Sequence, residues 1–327
     1  MVSTGVPEVS CDVSAVITTY HRADVLPRAI SSVIGQGCPP RELIVVDNGG
    51  DPATEPIVRA FQEKGGLPIR LVREYKVGVS AARNRGIVEA HGAYVAFLDD
   101  DDVWSQDHLE CFMQHKACSP ELVIYAGWTS RFHDPSRRPD RINDTLLRSY
   151  DRMDGKPLFV RRKAEFTGPF YTPSMSTSVI DVSIARRFLF DESLLGREDI
   201  YFVWLLGEQG DILIHDQSHA YVDQLDVSLF SVADKASTAE RISMDLKKSY
   251  FGVKMLEKIS ERPAALEHAE IREALQSAHF SYAYCGLKAG ERRIAIKYWY
   301  KSAMLGIQTR HLRFLLGFLA TVAGFRR

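Results

Sequence analysis

Four consecutive aspartates, Asp99–Asp102, are the strongest candidates for chemistry in this sequence. Adjacent carboxylates repel one another, so the run costs stability or has raised pKa values unless a partner compensates the charge. A divalent cation removes that penalty, and carboxylate oxygens suit Mg²⁺ or Mn²⁺, which keep positions for water and substrate phosphates. The alternative is an exposed acidic turn that caps the next helix. Because the run directly follows an apolar segment, Tyr94–Leu98, we favour the metal site.

A second pair of carboxylates, Glu198-Asp199, lies at the start of a helical pattern, Arg197–Gly207. A positioned carboxylate can accept the proton of a hydroxyl group, which is otherwise a poor nucleophile. Acids in the first turn of a helix are also favoured by the helix dipole alone. The pair is therefore a candidate general base, with a purely structural role as the alternative.

Alternating strands and helices must position these acids. The alternation predicts a mostly parallel sheet with helices on both faces, in which ligands bind at the carboxyl ends of the strands. Two more of the predicted strands are directly followed by polar segments, Thr18-Thr19-Tyr20 after the first strand and Asp47-Asn48-Gly49-Gly50 after the second. The apolar, β-branched runs predicted as strands are Val13–Thr18, Glu42–Val46 and Tyr94–Leu98, and the helical patterns between them are Val25–Ile34, Thr54–Gln62 and Ala81–His91.

Five blocks in order make the sequence similar to a known family. The resemblance is to family 2 glycosyltransferases, and it covers about residues 12 to 230. It implies the GT-A fold and an inverting transfer of sugar from a nucleotide diphosphate to an acceptor hydroxyl. The blocks are Val13–Arg22, Glu42–Gly49, Gly78–Gly86, the aspartate run and Phe190–Trp204.

The resemblance also implies roles for individual residues. Asp47 matches the carboxylate that hydrogen-bonds the pyrimidine base, and Gly78 admits close approach of the backbone. Asp99 matches the first acid of the family's Asp-x-Asp motif, near ribose and metal, and Asp101 matches the second, which binds the metal. The other donor-binding residues that it implies are Thr18, Tyr20, Arg83, Asn84 and Asp100.

The same resemblance makes Asp199 the catalytic base and leaves Glu198 to orient it or to touch the acceptor. UDP is the expected nucleotide, with dTDP and GDP as alternatives. The sequence departs from the family at the histidine that completes the metal shell in many GT-A enzymes, because Gln224 stands in the aligned position. His219, Asp223 or a water molecule are the substitutes that we considered.

Two other functions, and one other metal site, share some of these sequence features. A sugar nucleotidyltransferase shares the sheet and an acidic metal site, but its glycine-rich loop is missing from Thr18–Arg22. A non-catalytic module that binds nucleotide-sugars is the second alternative. His108, Cys111, His115 and Cys118 have ligand-type side chains, but on one continuous helix their ends lie about 15 Å apart, so four cannot converge on one zinc ion.

The chain divides into two predicted parts, a catalytic domain over residues 1–235 and a helical region over residues 236–327. We expect residues 133–163 to form a long loop or lid beside the site. The basic and aromatic C-terminal helices suit the surface of an anionic bilayer, and a helical bundle or a homo-oligomer interface is the alternative. A lipid-linked or glycan acceptor would agree with a membrane surface.

Net charge, cysteine spacing and the length of the apolar segments narrow the class of protein further. The net charge of −1 gives no support for nucleic-acid binding. Five cysteines without framework spacing predict reduced thiols. Neither a signal segment nor an apolar run long enough to span a bilayer is recognised, so we expect a cytoplasmic protein, peripheral at the inner face of the membrane.

Overall fold

The computed structural model of the chain describes residues 11–131, 151–161, 173–222, 237–262 and 268–322. The chain divides into two compact units. The first comprises Met1–Phe166, Phe170–Glu192 and Asp199–Asp223, and the second comprises Thr167–Pro169, Ser193–Glu198 and Gln224–Arg327. The predicted boundary near residue 235 remains a prediction.

The first unit is built on one mixed sheet with the strand order β3-β2-β1-β4-β9-β6-β10-β8-β7, and β5 pairs with β10 at the side of this path. The strands are β1 (Cys11–Thr19), β2 (Pro40–Asp47), β3 (Ile69–Arg73), β4 (Tyr94–Asp99), β5 (Val103–Trp104), β6 (Leu122–Arg131), β7 (Asp151–Arg152), β8 (Leu158–Arg161), β9 (Val179–Asp181) and β10 (Asp211–Val222).

The strands β3, β2, β1 and β4 are mutually parallel and hold the core of this unit. Their apolar runs are buried on both faces, as expected for parallel strands covered by helices. The pairing register matters for function: Thr18 lies opposite Asp99, and Thr19 lies opposite Asp47. The carboxyl ends of three neighbouring strands therefore meet at one edge of the sheet.

The other half of the sheet differs from the expected parallel arrangement. The short strand β9 pairs antiparallel with both β4 and β6, and β8 pairs antiparallel with β10. Because β7 and β8 fall within residues 133–163, the prediction of one long loop there is wrong for residues 151–161. The remainder of that predicted loop lies outside the described residues.

Helices cover the sheet of the first unit. The amphipathic helix α1 buries Leu26, Ile30 and Val33 against the core and has a proline in its first turn, where no hydrogen bond is lost. The helices are α1 (Leu26–Ile34), α2 (Thr54–Lys64), α3 (Val79–Glu89), α4 (His108–His115), α5 (Val182–Phe188) and α6 (Glu198–Gly207), whose first residue falls at the boundary between the units.

From residue 237 onward, the described part of the second unit is mainly helical, in agreement with the sequence pattern. Ser237 and Glu240 form a capping box at the start of its first helix. An aromatic and aliphatic core that includes Tyr282, Tyr298 and Phe314 joins the helices. They are α7 (Thr238–Ser260), α8 (Ala269–Lys288), α9 (Arg292–Met304) and α10 (Thr309–Val322). Within the described ranges, every helix is too short or too polar to span a bilayer.

Candidate active site

Each aspartate of the run Asp99–Asp102 has a protein partner. The guanidinium of Arg22 bridges two of them, with Nη2 2.5 Å from Asp100 Oδ1 and Nη1 2.7 Å from Asp101 Oδ2. Arg83 Nη2 lies 3.1 Å from Asp99 Oδ1. Arg22 and Arg83 thus compensate part of the negative charge of the aspartate run. From the sequence, a bound cation was expected to compensate this charge.

The fourth aspartate is held by a serine from a distant segment. Ser176 Oγ donates to Asp102 Oδ2 over 2.5 Å and accepts the backbone N–H of Asp99 over 3.2 Å. The indole of Trp104 donates to the carbonyl of Ser176 over 2.7 Å. Because Ser176 and Asp102 are both buried, this network fixes the turn that follows β4. Ser176 lies in a segment, Ser174–Ser178, whose sequence carries no catalytic pattern, so its role emerges only from the structure.

Asp100 is the most enclosed carboxylate of the run, with no exposed side-chain surface. Burial raises its pKa to about 6, although the neighbouring Thr19 hydroxyl and the charge of Arg22 act in the opposite direction. An enclosed carboxylate that is already paired with Arg22 offers no surface to a ligand. Asp99 and Asp101, which retain exposed side-chain surface, are better placed to meet a ligand.

Asp47, predicted to contact the base, ends β2 at the same edge. Its Oδ1 accepts the backbone N–H groups of Gly50 and Asp51 over 3.1 and 3.2 Å. Its Oδ2 is buried and has no hydrogen-bond partner among the described residues. A buried carboxylate oxygen left without a donor is costly, and an N–H group of a ligand would satisfy it.

The segment after β1 presents Tyr20 beside this carboxylate. The ring of Tyr20 is half exposed and packs edge-on against His21, with ring centroids 4.5 Å apart. Gly49 lies beneath both rings, where a Cβ would meet Tyr20 Cε2 at 2.9 Å. Thr18 is half-buried at the end of β1, opposite Asp99. The structure therefore brings Thr18 and Tyr20 to the edge that carries Asp47 and Asp99.

Asn48 organises the next loop, a role that the sequence did not reveal. Its Nδ2 donates to the carbonyls of Glu74 and Lys76 over 3.0 and 2.8 Å, and its Oδ1 accepts the N–H of Gly78 over 2.8 Å. Gly78 has φ +142°, which side-chain-bearing residues rarely adopt, and it caps the start of α3. Asn48 thus ties the N-terminal end of α3 to the end of β2.

Arg83 and Asn84, the predicted flanking pair, are both buried in α3. Arg83 reaches Asp99, whereas the amide of Asn84 holds another segment. Asn84 Nδ2 donates to Phe190 O and Glu192 Oε1, both at 3.0 Å, and its Oδ1 accepts the N–H of Phe190 over 2.7 Å. The amide of Asn84 therefore positions the chain that leads to the second carboxylate pair.

Asp199 is half-buried in the first turn of α6, where its Oδ1 accepts the N–H of Ile200 over 2.8 Å. One turn later, Phe202 stacks on Phe190 with ring centroids 3.9 Å apart, and Phe190 packs edge-on against Phe97 of β4 at 5.9 Å. Phe97 precedes Asp99 by two residues, so the two share a face of the sheet. This aromatic ladder, Phe97–Phe190–Phe202, connects α6 to the strand that ends in the aspartate run.

The predicted metal ligands fit a hard divalent cation in chemistry, because Asp99 and Asp101 offer partly exposed carboxylate oxygens. Among the described residues, the aspartates of the run do not form a group of three converging metal ligands. Substrate phosphates and water would therefore have to supply most of the coordination shell. Arg22 holds one oxygen of Asp101, so a cation there would share that carboxylate or replace the guanidinium.

His219 was considered as a further ligand at this site, but both of its ring nitrogens have other partners. Its Nδ1 lies 3.1 Å from His108 Nδ1, and its Nε2 lies 2.8 Å from His215 Nδ1. Asp223, the other candidate substitute, and Gln224, at the position aligned with the family's histidine, lie outside the described residues.

Comparison with known proteins gives consistent results. The sequence model described as "Glycosyl transferase family 2" matches residues 14–187. The putative teichuronic acid biosynthesis glycosyltransferase TuaG of Bacillus subtilis is 33% identical over 117 residues, 35% of this chain and 46% of TuaG. The GalNAc(5)-diNAcBac-PP-undecaprenol beta-1,3-glucosyltransferase of Campylobacter jejuni is 25% identical over 209 residues, 64% of this chain and 63% of that enzyme. Both matches span less than two thirds of the relative's own length.

Solved structures share the fold at low sequence identity. Residues 1–349 of S. aureus TarS in complex with UDP-GlcNAc superpose with a TM-score of 0.60 at 16% identity, covering 91% of this chain and 82% of that one. The mannosyltransferase PcManGT from Pyrobaculum calidifontis, in complex with GDP-Man and Mn²⁺, gives a TM-score of 0.56 at 17% identity, covering 96% and 81%.

Proposed function

This chain belongs to glycosyl transferase family 2 and has the GT-A fold, and on that premise we propose that it transfers a sugar from a nucleotide diphosphate, preferably UDP, to an acceptor hydroxyl. The observation that carries the proposal is the register of three strands. Asp47 and Asp99 end the strands on either side of β1, so roughly 10 Å separates their backbones. This spacing suits the base and the ribose-diphosphate of one nucleotide.

On the donor side, the unpaired Oδ2 of Asp47 accepts the N–H of a pyrimidine base. Tyr20 and Thr18 line the path from there to Asp99, and Arg83 holds Asp99 in place. When Mn²⁺ or Mg²⁺ is bound by Asp99 and Asp101, it supplies Lewis-acid neutralisation of the leaving diphosphate. Arg22, next to Asp101, adds a positive charge on the same side of the site.

On the acceptor side, Asp199 takes the proton from the attacking hydroxyl group, and Glu198 orients it. The sugar carbon gains oxocarbenium character between the incoming and leaving oxygens, as it does in glycoside hydrolysis. A single displacement on one face of the sugar inverts the anomeric centre. The aromatic ladder supports this assignment, because it connects the helix of Asp199 to the strand of Asp99.

The acceptor is a lipid-linked glycan at an anionic membrane surface. One face of α10 packs on α8 through Phe314, which is buried. Another face exposes Leu312, Leu316 and Leu319, with the exposed Arg313 nearby. An apolar helix face with basic neighbours binds at the interface of anionic bilayers. The Campylobacter jejuni relative, whose acceptor is undecaprenol-linked, supports the same class of acceptor.

Calorimetry tests the donor assignment first, with UDP titrated into the protein in the presence and absence of Mn²⁺. We expect binding that Mn²⁺ strengthens, followed by turnover of at least one sugar in a panel of UDP-, dTDP- and GDP-sugars. Binding without any turnover would indicate a non-catalytic module. Absence of binding to all three nucleotides would overturn the proposal altogether.

A further inference from the structure

A second group of potential metal ligands is buried in the first unit, apart from the aspartate run. Cys111 from α4 and His215 and His219 from β10 each offer one ligand atom, and these three atoms lie within 4.8 Å of one another. All three side chains are buried, with at most 8% of their surface exposed. We call these three residues the Cys–His cluster. Thiolate and imidazole are the ligands that Zn²⁺ prefers.

An irregular stretch of β10 brings its two histidines together. In a regular strand, residues four apart are separated by about 13 Å, yet His215 Nδ1 lies 2.8 Å from His219 Nε2. From Ile214 to Ala220, β10 advances six residues while its partner β6 advances three, from Ala126 to Thr129. Such bulges redirect side chains and are common next to functional sites.

The strand β6 leaves space for one of these rings. A Cβ at Gly127 would lie 1.7 Å from Cδ2 of His219, so the ring occupies the volume that any other residue would need. The hydroxyl of Thr177 donates to the carbonyl of Gly127 over 2.9 Å, which holds this part of β6 in place. The position of His219 is therefore built into two neighbouring strands.

Side chains around the cluster have the arrangement typical of an outer ligand shell. His108 Nδ1 contacts His219 Nδ1 at 3.1 Å, where it can accept the outer N–H of a metal-binding ring. His115 Nδ1 lies 2.8 Å from the carbonyl oxygen of Cys111, which leaves Nε2 free to bind a metal. The ring of His115 also lies 4.8 Å from that of His215, between centroids.

We propose that Cys111, His215 and His219 bind one Zn²⁺ ion, with His115 as the fourth ligand. On binding, the thiol of Cys111 releases its proton to water, and His215 moves its proton to the outer ring nitrogen, so each ligand presents a lone pair. In a tetrahedral site with Zn–N bonds of about 2.05 Å, the two imidazole nitrogens stand about 3.3 Å apart. The contact between His215 and His219 therefore opens by about half an ångström.

This metal site is structural, because four protein ligands leave no open position for a substrate. It ties α4, the helix that follows the aspartate run, to β10, which lies between β6 and β8 in the sheet. The zinc site excluded from the sequence drew all four ligands from one helix. The site proposed here draws two ligands from α4 and two from β10. The carboxylates Asp99 and Asp101 are not involved, so the proposal stands or falls independently of the proposed glycosyl transfer.

Cobalt substitution tests the site in the full-length protein. After treatment with chelator, one equivalent of Co²⁺ should produce a thiolate-to-cobalt charge-transfer band and the intense visible bands of tetrahedral cobalt, and Zn²⁺ should displace both. Cys111→Ser should abolish the charge-transfer band. Cys285→Ser, a half-buried helical cysteine in the second unit, should retain it, and so should Asp101→Ala. A band that survives Cys111→Ser, or no band in the wild-type protein, would overturn the proposal.

X-ray absorption on the zinc-loaded wild-type protein gives a result that does not depend on any variant folding. We expect one sulfur neighbour at about 2.3 Å and nitrogen neighbours at about 2.0 Å. A shell of oxygen and nitrogen without sulfur would contradict the assignment. His115→Ala, at a half-buried position, should lower the affinity for Zn²⁺ about tenfold or more, and unchanged affinity would remove His115 from the ligand set.

Discussion

Arg22 Nη1 lies 2.7 Å from Asp101 Oδ2. The same guanidinium contacts Asp100, so one arginine compensates the two central charges of the aspartate run. A divalent cation at Asp101 must therefore compete with an internal cation or displace it. Arg22 belongs to the segment after β1, which also carries Tyr20, so release of the guanidinium on metal binding would alter the donor side of the site.

Replacement of Arg22 by glutamine should strengthen the binding of Mn²⁺ alone. The variant removes both a competing ligand of Asp101 and a nearby positive charge, and we expect a gain of about tenfold, equivalent to about 1.4 kcal/mol. Calorimetry or electron paramagnetic resonance of Mn²⁺ without nucleotide measures it. Arg41→Gln is the control, because Arg41 is exposed and pairs with Asp12. Weaker Mn²⁺ binding by the Arg22 variant would show that the two cations do not compete.

Asp47→Asn should weaken UDP binding by about tenfold to a hundredfold. The variant has an NH₂ group in place of one carboxylate oxygen, so it loses a hydrogen bond to a charged acceptor, which is worth about 1.5–3 kcal/mol. Binding of inorganic pyrophosphate should not change, because Asp47 is assigned to the base. Asp51→Asn provides the control: Asp51 Oδ1 accepts the N–H of Ala53 and has no assigned contact with the donor. Equal losses for UDP and pyrophosphate would refute base recognition by Asp47.

Asp199→Asn should retain nucleotide binding and lose transfer by about 10²-fold or more, because an amide cannot accept the proton of the acceptor. Initial rates of transfer and calorimetry with UDP separate the two effects. Glu198→Gln should have a smaller effect on the rate. Glu208→Gln, just beyond the other end of α6, serves as the control. Transfer at the wild-type rate by the Asp199 variant would exclude it as the base.

Glu257 should make the second unit sensitive to acid. Burial alone would raise its pKa, but hydrogen bonds from Lys301 and Lys254 outweigh this effect and lower the pKa from 4.5 to about 2. A depressed pKa in the folded state stabilises the protein above about pH 4.5, and the contribution is lost as the pH falls towards 2. Glu257→Gln should therefore cost about 3 kcal/mol near neutral pH and progressively less in acid.

Urea unfolding of wild type and variant between about pH 7 and about pH 3 measures this difference. Glu261→Gln, at the exposed residue that directly follows the end of α7, should show no comparable dependence on pH. A Glu257 variant whose loss of stability stays constant over the range would contradict the assignment.

The exposed face of α10 should bind anionic lipid. Leu316→Glu places a negative charge in the apolar face and should reduce binding to phosphatidylserine-containing vesicles in a sedimentation assay. Val88→Glu is a matched control, because Val88 is also an exposed aliphatic residue on a helix, in the first unit. Equal binding by both variants would leave the bundle or oligomer interface as the explanation for the exposed leucines.

Parts of the fold followed directly from the sequence. The strands β1, β2 and β4 are continuous apolar runs, and their polar ends had to meet at one edge because parallel strands share a direction. The strand β3, Ile69–Arg73, was missed because Arg70 and Arg73 interrupt its apolar pattern at the sheet edge. The strands β7 and β8 were missed because they are short and lie within polar surroundings.

The sequence predicted the acidic residues of the candidate site. It did not predict the side chains that hold these acids in place. The pairing of Ser176 with Asp102 spans 74 residues, and that of Asn84 with Phe190 spans 106, so local pattern gives no sign of either. Arg22 stood in a recognised block without an assigned role. The four ligand-type residues after Asp107 were tested only against one another, because the bulge that brings His215 and His219 to Cys111 depends on how β10 pairs with β6.

The three phenyl rings of the aromatic ladder, one pair edge-on and one pair stacked, limit how the elements that carry them can move. Phe190 packs between Phe97 and Phe202, so α6 cannot slide along β4 unless at least one of the two ring contacts breaks. Under the proposed assignment, core packing therefore sets the spacing between Asp199, the proton acceptor, and Asp99, on the diphosphate side of the site. The proposal then implies that the reacting groups keep their separation from one turnover to the next, and that substrates enter and leave without a shift of α6 against β4.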